Sequence, residues 1–130
     1  MIVIDASAMA EALIGRGTDV ELLNGMAGEM SAPHLLDVEV LSALRGFSRA
    51  GKLEPARAED ARHDHFDFTI TRHEVQPLAQ RVWELRHGFT SYDACYLALA
   101  EALDAPLYTC DAKLDSGGHS AAVRVFPQTH

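Results

Sequence analysis

The sequence has few of the features that mark a secreted, membrane-spanning or broadly basic protein. Its only two cysteines, Cys95 and Cys110, lie far apart and form no CxxC pair, which argues against a disulfide scaffold or a zinc site. The N-terminus lacks the basic start and long apolar core of a signal peptide, and no uncharged stretch approaches the roughly 20 residues of a membrane span. We therefore expect a cytoplasmic protein whose two thiols are reduced and buried.

Positive charge is also scarce. The chain has 11 Lys and Arg against 19 Asp and Glu, a formal net charge of −8. This balance argues against a protein that holds nucleic acid mainly through a broad basic surface. It does not exclude enzymes that act on phosphodiesters, because metal ions can cancel negative charge locally. The 48% hydrophobic content is that of an ordinary globular protein.

The apolar pattern alternates between short strands and helices. Apolar runs predict strands at Ile2–Ile4, Met30–Ala32, Thr69–Val75, Pro106–Thr109 and Val123–Phe126. Helical spacing, with Gly or Pro near the ends, predicts helices over Ala6–Ile14, Thr18–Met30, Pro33–Ala50, Pro55–Phe68, Pro77–His87 and Thr90–Leu103. Such alternation predicts a short parallel sheet between two helical layers. We expect one α/β domain over residues 1–130.

Four acidic residues stand beside apolar segments, with no lysine or arginine next to any of them. Asp5 and Asp111 directly follow predicted strands, Glu39 lies about one turn into a helix, and Asp93 lies near the start of another. Ligands of an open parallel sheet bind at the carboxyl ends of its strands, so four chain segments can bring these side chains to one edge. Burying uncompensated carboxylates is costly, and a divalent cation would offset that cost.

Carboxylates are the ligands that hard ions such as Mg²⁺ and Mn²⁺ prefer. An ion held in this way can polarise a phosphoryl oxygen and lower the pKa of a bound water. Ser7, two residues after Asp5, could orient a water or a phosphate through its hydroxyl. The acidic edge therefore suits phosphodiester hydrolysis.

Four motifs, in order along the chain, resemble those of PIN-domain ribonucleases, and specifically VapC-type toxins of bacterial toxin–antitoxin pairs. The motifs are IVIDASA at residues 2–8, PHLLDVEVLSAL at 33–44, TSYDACYLALA at 90–100 and LYTCDAKL at 107–114. The resemblance implies a PIN-like three-layer α/β/α sandwich and a catalytic, metal-binding quartet of Asp5, Glu39, Asp93 and Asp111. It also implies Mg²⁺ or Mn²⁺ as cofactor, endonucleolytic cleavage of RNA, inhibition by a cognate antitoxin, and a homodimer. The histidine-rich segment Arg57–His73 matches none of these motifs.

Two residues besides Ser7 are candidates for a place beside the quartet. Asp115 lies one helical turn after Asp111 and could supply a fifth carboxylate. Arg86 could meet an RNA phosphate or simply pair with an acid. The sequence does not identify the RNA target, because recognition of a structured RNA by shape leaves no motif.

Each acid also has a structural interpretation. Asp5 could cap the helix that follows it, Asp93 could form a variant capping box with Thr90, and Asp111 could be a turn residue. Two other functions stay open: a metal-dependent phosphatase or phosphoacceptor domain using Asp5, and an inactive PIN-like binding module. Phosphatases of the haloacid-dehalogenase type require a second aspartate at the position of Ser7, which weakens the first.

Three further features have simple expected roles. The only tryptophan, Trp83, is expected in the core. The group His63, Asp64, His65 and Asp67 lacks the i, i+4 spacing of helical zinc ligands, which favours a solvated helix face. Asp37 is expected beside the site or in a structural role. Val38 and Leu41 lie off the core stripe of their helix, which predicts that a partner or second subunit covers it.

Overall fold

The computed structural model describes all 130 residues as a five-stranded sheet flanked by six helices. The strands are β1 (Ile2–Ile4), β2 (Met30–Pro33), β3 (Ile70–His73), β4 (Leu107–Thr109) and β5 (Val123–Val125). All neighbouring strands pair in parallel, in the order β3-β2-β1-β4-β5. The predicted α/β fold with a short parallel sheet is confirmed.

The helices are α1 (Ala6–Ile14), α2 (Val20–Met26), α3 (Leu35–Arg49), α4 (Pro55–Asp67), α5 (Ala79–Glu84) and α6 (Ser91–Leu103). Helix α1 packs against α2, α3 and α4, while α5 and α6 pack together with α6 lying on β1 and β2. The two groups of helices and the sheet between them form three layers. No helix combines the length and the apolar character that a membrane span requires.

Three predicted helices have wrong boundaries. The second helix ends at Met26, not Met30, because Met30 begins β2 and pairs with Ile2 and Ile70. Pro33 does not begin the next helix: it ends β2 opposite His73, and α3 begins at Leu35. The helix predicted over Pro77–His87 is shorter, since a 3-10 turn precedes α5 and the helix ends at Glu84.

The core lies on both faces of β1, whose three residues are all buried. Helix α6 covers one face with an unbroken buried run from Ala94 to Ala100. Helix α3 contributes Leu36, Val40 and Leu44. Gly15 caps the C-terminal end of α1, where a Cβ atom would overlap the Glu11 side chain and its carbonyl oxygen, so only glycine fits this close turn.

Three predicted burial states are wrong, those of Trp83, His65 and Cys110. The side chain of Trp83 is 66% exposed, because the short α5 leaves its last turn outside the core. His65 is fully buried and bonded to Asp37, although His63 on the same helix is exposed as expected. Cys95 is buried as predicted, whereas Cys110 is partly exposed.

The buried His65 belongs to a cluster that joins α3, α4 and β3. Its Nε2 lies 2.8 Å from Asp37 Oδ1, and Arg72 donates to both oxygens of the same carboxylate at 2.8 and 3.0 Å. These bonds give Asp37 a structural role, and they hold its pKa below the ordinary value although burial opposes this. The cluster therefore fixes the first turn of α3, and Glu39 lies in the next turn of the same helix.

Candidate active site

Asp5 is the most buried carboxylate of the predicted quartet, with 6% of its surface exposed. It follows β1 directly and caps α1, where Oδ1 accepts from Ala8 N at 3.0 Å and from Ser7 Oγ at 2.7 Å. Its Oδ2 accepts from the hydroxyl of Thr109 at the end of β4. No lysine, arginine or histidine pairs with Asp5, so hydrogen bonds alone compensate its charge.

The pKa of Asp5 is raised from its ordinary 3.8 to about 6, mainly because the carboxylate is buried. The hydrogen bonds from Thr109, Ala8 and Ser7 lower the pKa and the charge of Asp93 raises it, but burial is the largest effect. A carboxylate in this state is costly to ionise. Nearby positive charge would favour its ionised form, and the protein supplies none at this position.

Glu39 reaches the same edge of the sheet from α3. Its Oε1 accepts a 2.6 Å hydrogen bond from the hydroxyl of Tyr96, which is buried on α6. Burial raises the pKa of Glu39, the Tyr96 bond lowers it, and the charge of Asp93 raises it again. Burial and Glu39 together raise the pKa of Tyr96 far above its ordinary value, so Tyr96 serves Glu39 as a neutral donor.

Asp93 and Asp111 complete the group from α6 and from the turn after β4. Burial raises the pKa of Asp93, and the charge of Asp111 raises it further, while Lys113 lowers it. Asp111 caps the 3-10 turn that follows it by accepting from Lys113 N at 3.0 Å, and Lys113 Nζ lies 3.9 Å from its Oδ2. Lys113 is thus the one cation beside the quartet, and it is 81% exposed.

The acids are coupled electrostatically in pairs through Asp93: its charge raises the pKa values of Asp5 and Glu39, and the charge of Asp111 raises the pKa of Asp93. The structure nevertheless contains no group of three or more His, Cys, Asp or Glu side chains already arranged to hold a metal ion. Mg²⁺ retains several of its waters and needs only one or two carboxylates in direct contact, so a donor set made only of carboxylates still fits a hard divalent ion.

The three residues expected beside the quartet differ in what they do. Ser7 donates its only hydroxyl proton to Asp5 and accepts from Cys110 N at 2.8 Å, so it joins the first turn of α1 to the segment that follows β4. Asp115 is exposed at the end of its 3-10 turn. Arg86 donates to Trp83 O and places its guanidinium 4.6 Å from the Trp83 ring centroid, without an ion pair to any acid.

The sequence reasoning missed Thr109 and Tyr96, the two hydroxyl donors that orient Asp5 and Glu39. Thr109 is fully buried and also accepts from Asp111 N at 2.9 Å, so it connects two of the acids. Both residues lie inside the four sequence motifs. Two sequence features could have identified these donors: a polar residue at the end of a strand and a tyrosine in an otherwise apolar helix. Both place a hydroxyl in a buried position, where it requires a hydrogen-bond partner.

Comparison with known proteins gives a consistent result. The sequence model of the PIN domain matches residues 2–118. Ribonuclease VapC9 of Mycobacterium tuberculosis is 38% identical over 129 residues, which cover 98% of this chain and 100% of that protein. Ribonuclease VapC1 of the same species is 42% identical over 116 residues, which cover 86% of each chain.

Solved structures agree in fold. PAE2754 from Pyrobaculum aerophilum superimposes with a TM-score of 0.68 at 24% identity, covering 87% of this chain and 81% of that one. VapC20 of Mycobacterium tuberculosis, described as a toxin that cleaves the sarcin-ricin loop, gives a TM-score of 0.68 at 18% identity and covers 92% and 97%. At these identities the likeness is one of fold alone.

Proposed function

This chain belongs to the PIN-domain family and, within it, to the VapC-type ribonuclease toxins, and from that premise we propose that Asp5, Glu39, Asp93 and Asp111 are the catalytic residues with which it cleaves RNA. The observation that carries the proposal is the state of Asp5. A carboxylate that is 6% exposed, lacks a cationic partner and is repelled by Asp93 destabilises the fold when ionised. A function that needs its charge accounts for its presence.

We propose that the quartet holds Mg²⁺ or Mn²⁺. When bound, such an ion supplies a Lewis acid and a water of lowered pKa for attack on the phosphodiester. The chain's own residues prepare the acids for this: Thr109 and Ser7 orient Asp5, and Tyr96 leaves one oxygen of Glu39 free. The partial exposure of Asp93 and Asp111 leaves the site open to RNA.

Cleavage of a labelled RNA by highly purified protein tests both proposals. Chelation with EDTA should abolish cleavage, and excess Mg²⁺ or Mn²⁺ should restore it. Asp93→Asn should retain the fold and lose nearly all cleavage. The matched control is Asp104→Asn at the opposite end of α6, where the residue is left-handed at φ 49°, a conformation that asparagine also tolerates. Cleavage by Asp93→Asn at the wild-type rate would refute the site assignment.

The alternative of a phosphatase that uses Asp5 as a nucleophile has less support. The curated relatives are ribonucleases, and Ser7 stands where phosphatases of the haloacid-dehalogenase type have a second aspartate. Incubation with a phosphoryl donor should therefore leave no acid-stable label on Asp5.

We further propose that a cognate antitoxin inhibits the enzyme by placing an arginine or lysine at the quartet. Four carboxylates with one exposed cation beside them favour a guanidinium, which binds a carboxylate through two parallel bonds and stays charged. Replacing that basic residue of the antitoxin with alanine should relieve inhibition more than it weakens binding. An inhibited complex that leaves all four carboxylates open to solvent would contradict this mechanism.

We also propose that the chain forms a homodimer through the outer face of α3. Val38 is 69% and Leu41 39% exposed there, on the helix that carries Glu39. An apolar pair of this kind gains free energy when a second subunit covers it. Light scattering should give the mass of a dimer, and Val38→Asp should give a monomer.

A further inference from the structure

Although the chain is acidic overall, its positive charge is concentrated at one place. Between residues 45 and 57 it carries four cations and one acid, Glu54, whereas the whole chain carries 11 cations and 19 acids. These residues form the end of α3, the turn that follows and the first turn of α4. Two helices therefore present the main basic surface of the molecule where they meet.

The cations of this region lack acidic partners. Five Lys and Arg side chains form ion pairs with carboxylates, namely Arg62, Arg72, Arg81, Lys113 and Arg124. The other six Lys and Arg side chains form no ion pair. Five of them lie at or beside the junction of α3 and α4, namely Arg16, Arg45, Arg49, Lys52 and Arg57, and the sixth is Arg86. Their charge is not used within the fold and is available to a ligand.

Three of these cations line one cavity. A cavity of about 80 Å³ lies between the ends of α1 and α3 and the start of α4. It is lined by Arg16, Lys52, Arg57 and His130 over the apolar side chains of Ile14, Phe47 and Leu53. His130 Nδ1 lies 3.0 Å from the carboxylate of the buried Glu11, whereas the three cations have no acidic partner. The cavity is large enough to hold one phosphate group. The helical dipole of α4 adds positive potential, because Arg57 lies in the first turn of that helix.

The backbone that carries the cations is held in place. Arg16 N donates to Thr129 Oγ1 at 2.9 Å, and Lys52 N donates to Phe47 O at 2.9 Å after Gly51 turns the chain at φ 72°. Leu53 is buried between Lys52 and the start of α4. Such a site loses little backbone freedom when it binds an anion.

We propose that the cavity lined by Arg16, Lys52 and Arg57 binds a backbone phosphate of the RNA substrate, outside the catalytic quartet. The inference rests on the proposed function. RNA is favoured as occupant because the surface carries unpaired cations around a pocket that fits one phosphate. The cavity lies at the C-terminal end of α3, and Glu39 lies near the other end of the same helix. Ten residues, about 15 Å along the helix axis, separate Glu39 from Arg49 at that end, so an RNA strand must extend over several nucleotides to occupy both sites.

The test measures binding of a fluorescent single-stranded RNA to the full chain over a range of salt concentrations, in the Asp93→Asn background. The triple variant Arg16→Gln, Lys52→Gln, Arg57→Gln should bind at least about tenfold more weakly at low salt. The slope of log K against log salt should become shallower by about 0.7 for each phosphate that the variant no longer neutralises. The weakening should be the same for RNAs of different sequence, because binding to phosphate carries no base information.

Arg124→Gln is the matched control, because Arg124 is already paired with Glu21. It should leave the affinity and the salt slope unchanged. In the cleaving enzyme, the triple variant should raise KM and leave kcat near the wild-type value. Circular dichroism should show that every variant is folded.

Unchanged RNA affinity and salt slope in the triple variant would overturn the inference. The inference would also fail if the triple variant bound polyglutamate more weakly than the wild type but bound RNA equally well, because that result would assign the cavity to an acidic protein. RNA cleavage by the wild type is measured in the same experiment, so that a failure of the inference can be told apart from a failure of the proposed function. If the wild type cleaves RNA and the triple variant binds it equally well, only the inference fails, whereas a wild type that neither binds nor cleaves RNA contradicts both.

Discussion

Replacing Asp5 with asparagine should stabilise the metal-free protein while removing its activity. The pKa of Asp5 rises from 3.8 to about 6 on folding, and each unit corresponds to about 1.4 kcal/mol, so ionised Asp5 costs the fold about 3 kcal/mol at neutral pH. Asparagine is neutral and keeps one oxygen for Ala8 N and Ser7 Oγ. The Thr109 hydroxyl loses its acceptor, which costs about 1 kcal/mol.

The net gain is therefore about 1–2 kcal/mol, a rise in Tm of a few degrees for a chain of this size. Thermal unfolding in EDTA at pH 7.5 measures it. The matched control is Asp19→Asn: Asp19 also caps a helix, accepting from Glu21 N at 2.8 Å, but it is not buried. Asparagine caps as well as aspartate, so this control should leave Tm unchanged.

The pH dependence follows from the same shift. Above pH 6, Asp5 is ionised in both the folded and the unfolded state, and the cost is complete. As pH falls from about 6 towards 4, the folded protein takes up the proton first, so the contribution of Asp5 makes the metal-free wild type more stable. Asp5→Asn should lack this dependence. A variant that is less stable than the wild type at pH 7.5 in EDTA would refute the reasoning.

Two other substitutions test the groups that orient the acids. Tyr96→Phe removes the 2.6 Å hydrogen bond to Glu39 and should weaken Mn²⁺ binding by roughly tenfold, as measured by calorimetry without RNA. The control is Tyr92→Phe on the same helix, which should have no effect because the side chain of Tyr92 is exposed. Asp37→Ala leaves the buried His65 and Arg72 without their shared acceptor, and it should lower the free energy of unfolding by about 3 kcal/mol. Urea denaturation measures this loss, and a variant as stable as the wild type would refute the reasoning.

The features of the fold that the sequence predicts are those set by local periodicity. Ile2–Ile4 is a buried strand and Ala6–Ile14 is a helix, both with the predicted bounds. In each segment the spacing of the apolar residues is enough to predict which side chains are buried. Local rules place Pro33 at a helix start because proline is common there. Its strand position depends on pairing with His73, forty residues later, which local rules do not contain.

The errors in burial have the same origin. The sequence around His65 suggests a solvated side chain because its neighbours His63 and Asp64 are polar, yet its partner Asp37 lies 28 positions earlier in the chain. Trp83 is expected in the core because tryptophan has a large apolar surface, yet it lies on the last turn of a helix too short to cover it. Both outcomes depend on which elements meet in three dimensions.

The quartet shows why a structural interpretation and a catalytic one need not compete. Asp5 caps α1 and Asp111 caps a 3-10 turn, in line with the simpler interpretations, and Thr90 Oγ1 accepts from Asp93 N at 3.2 Å. What distinguishes Asp5 from the ordinary cap Asp19 is burial beside other carboxylates, not its hydrogen bond. In the proposed site the cap would also serve function, because the backbone amide fixes the direction of a carboxylate that like charges would otherwise turn away. Acids held in this way would lose less conformational freedom on binding the proposed ion than acids that were free to rotate.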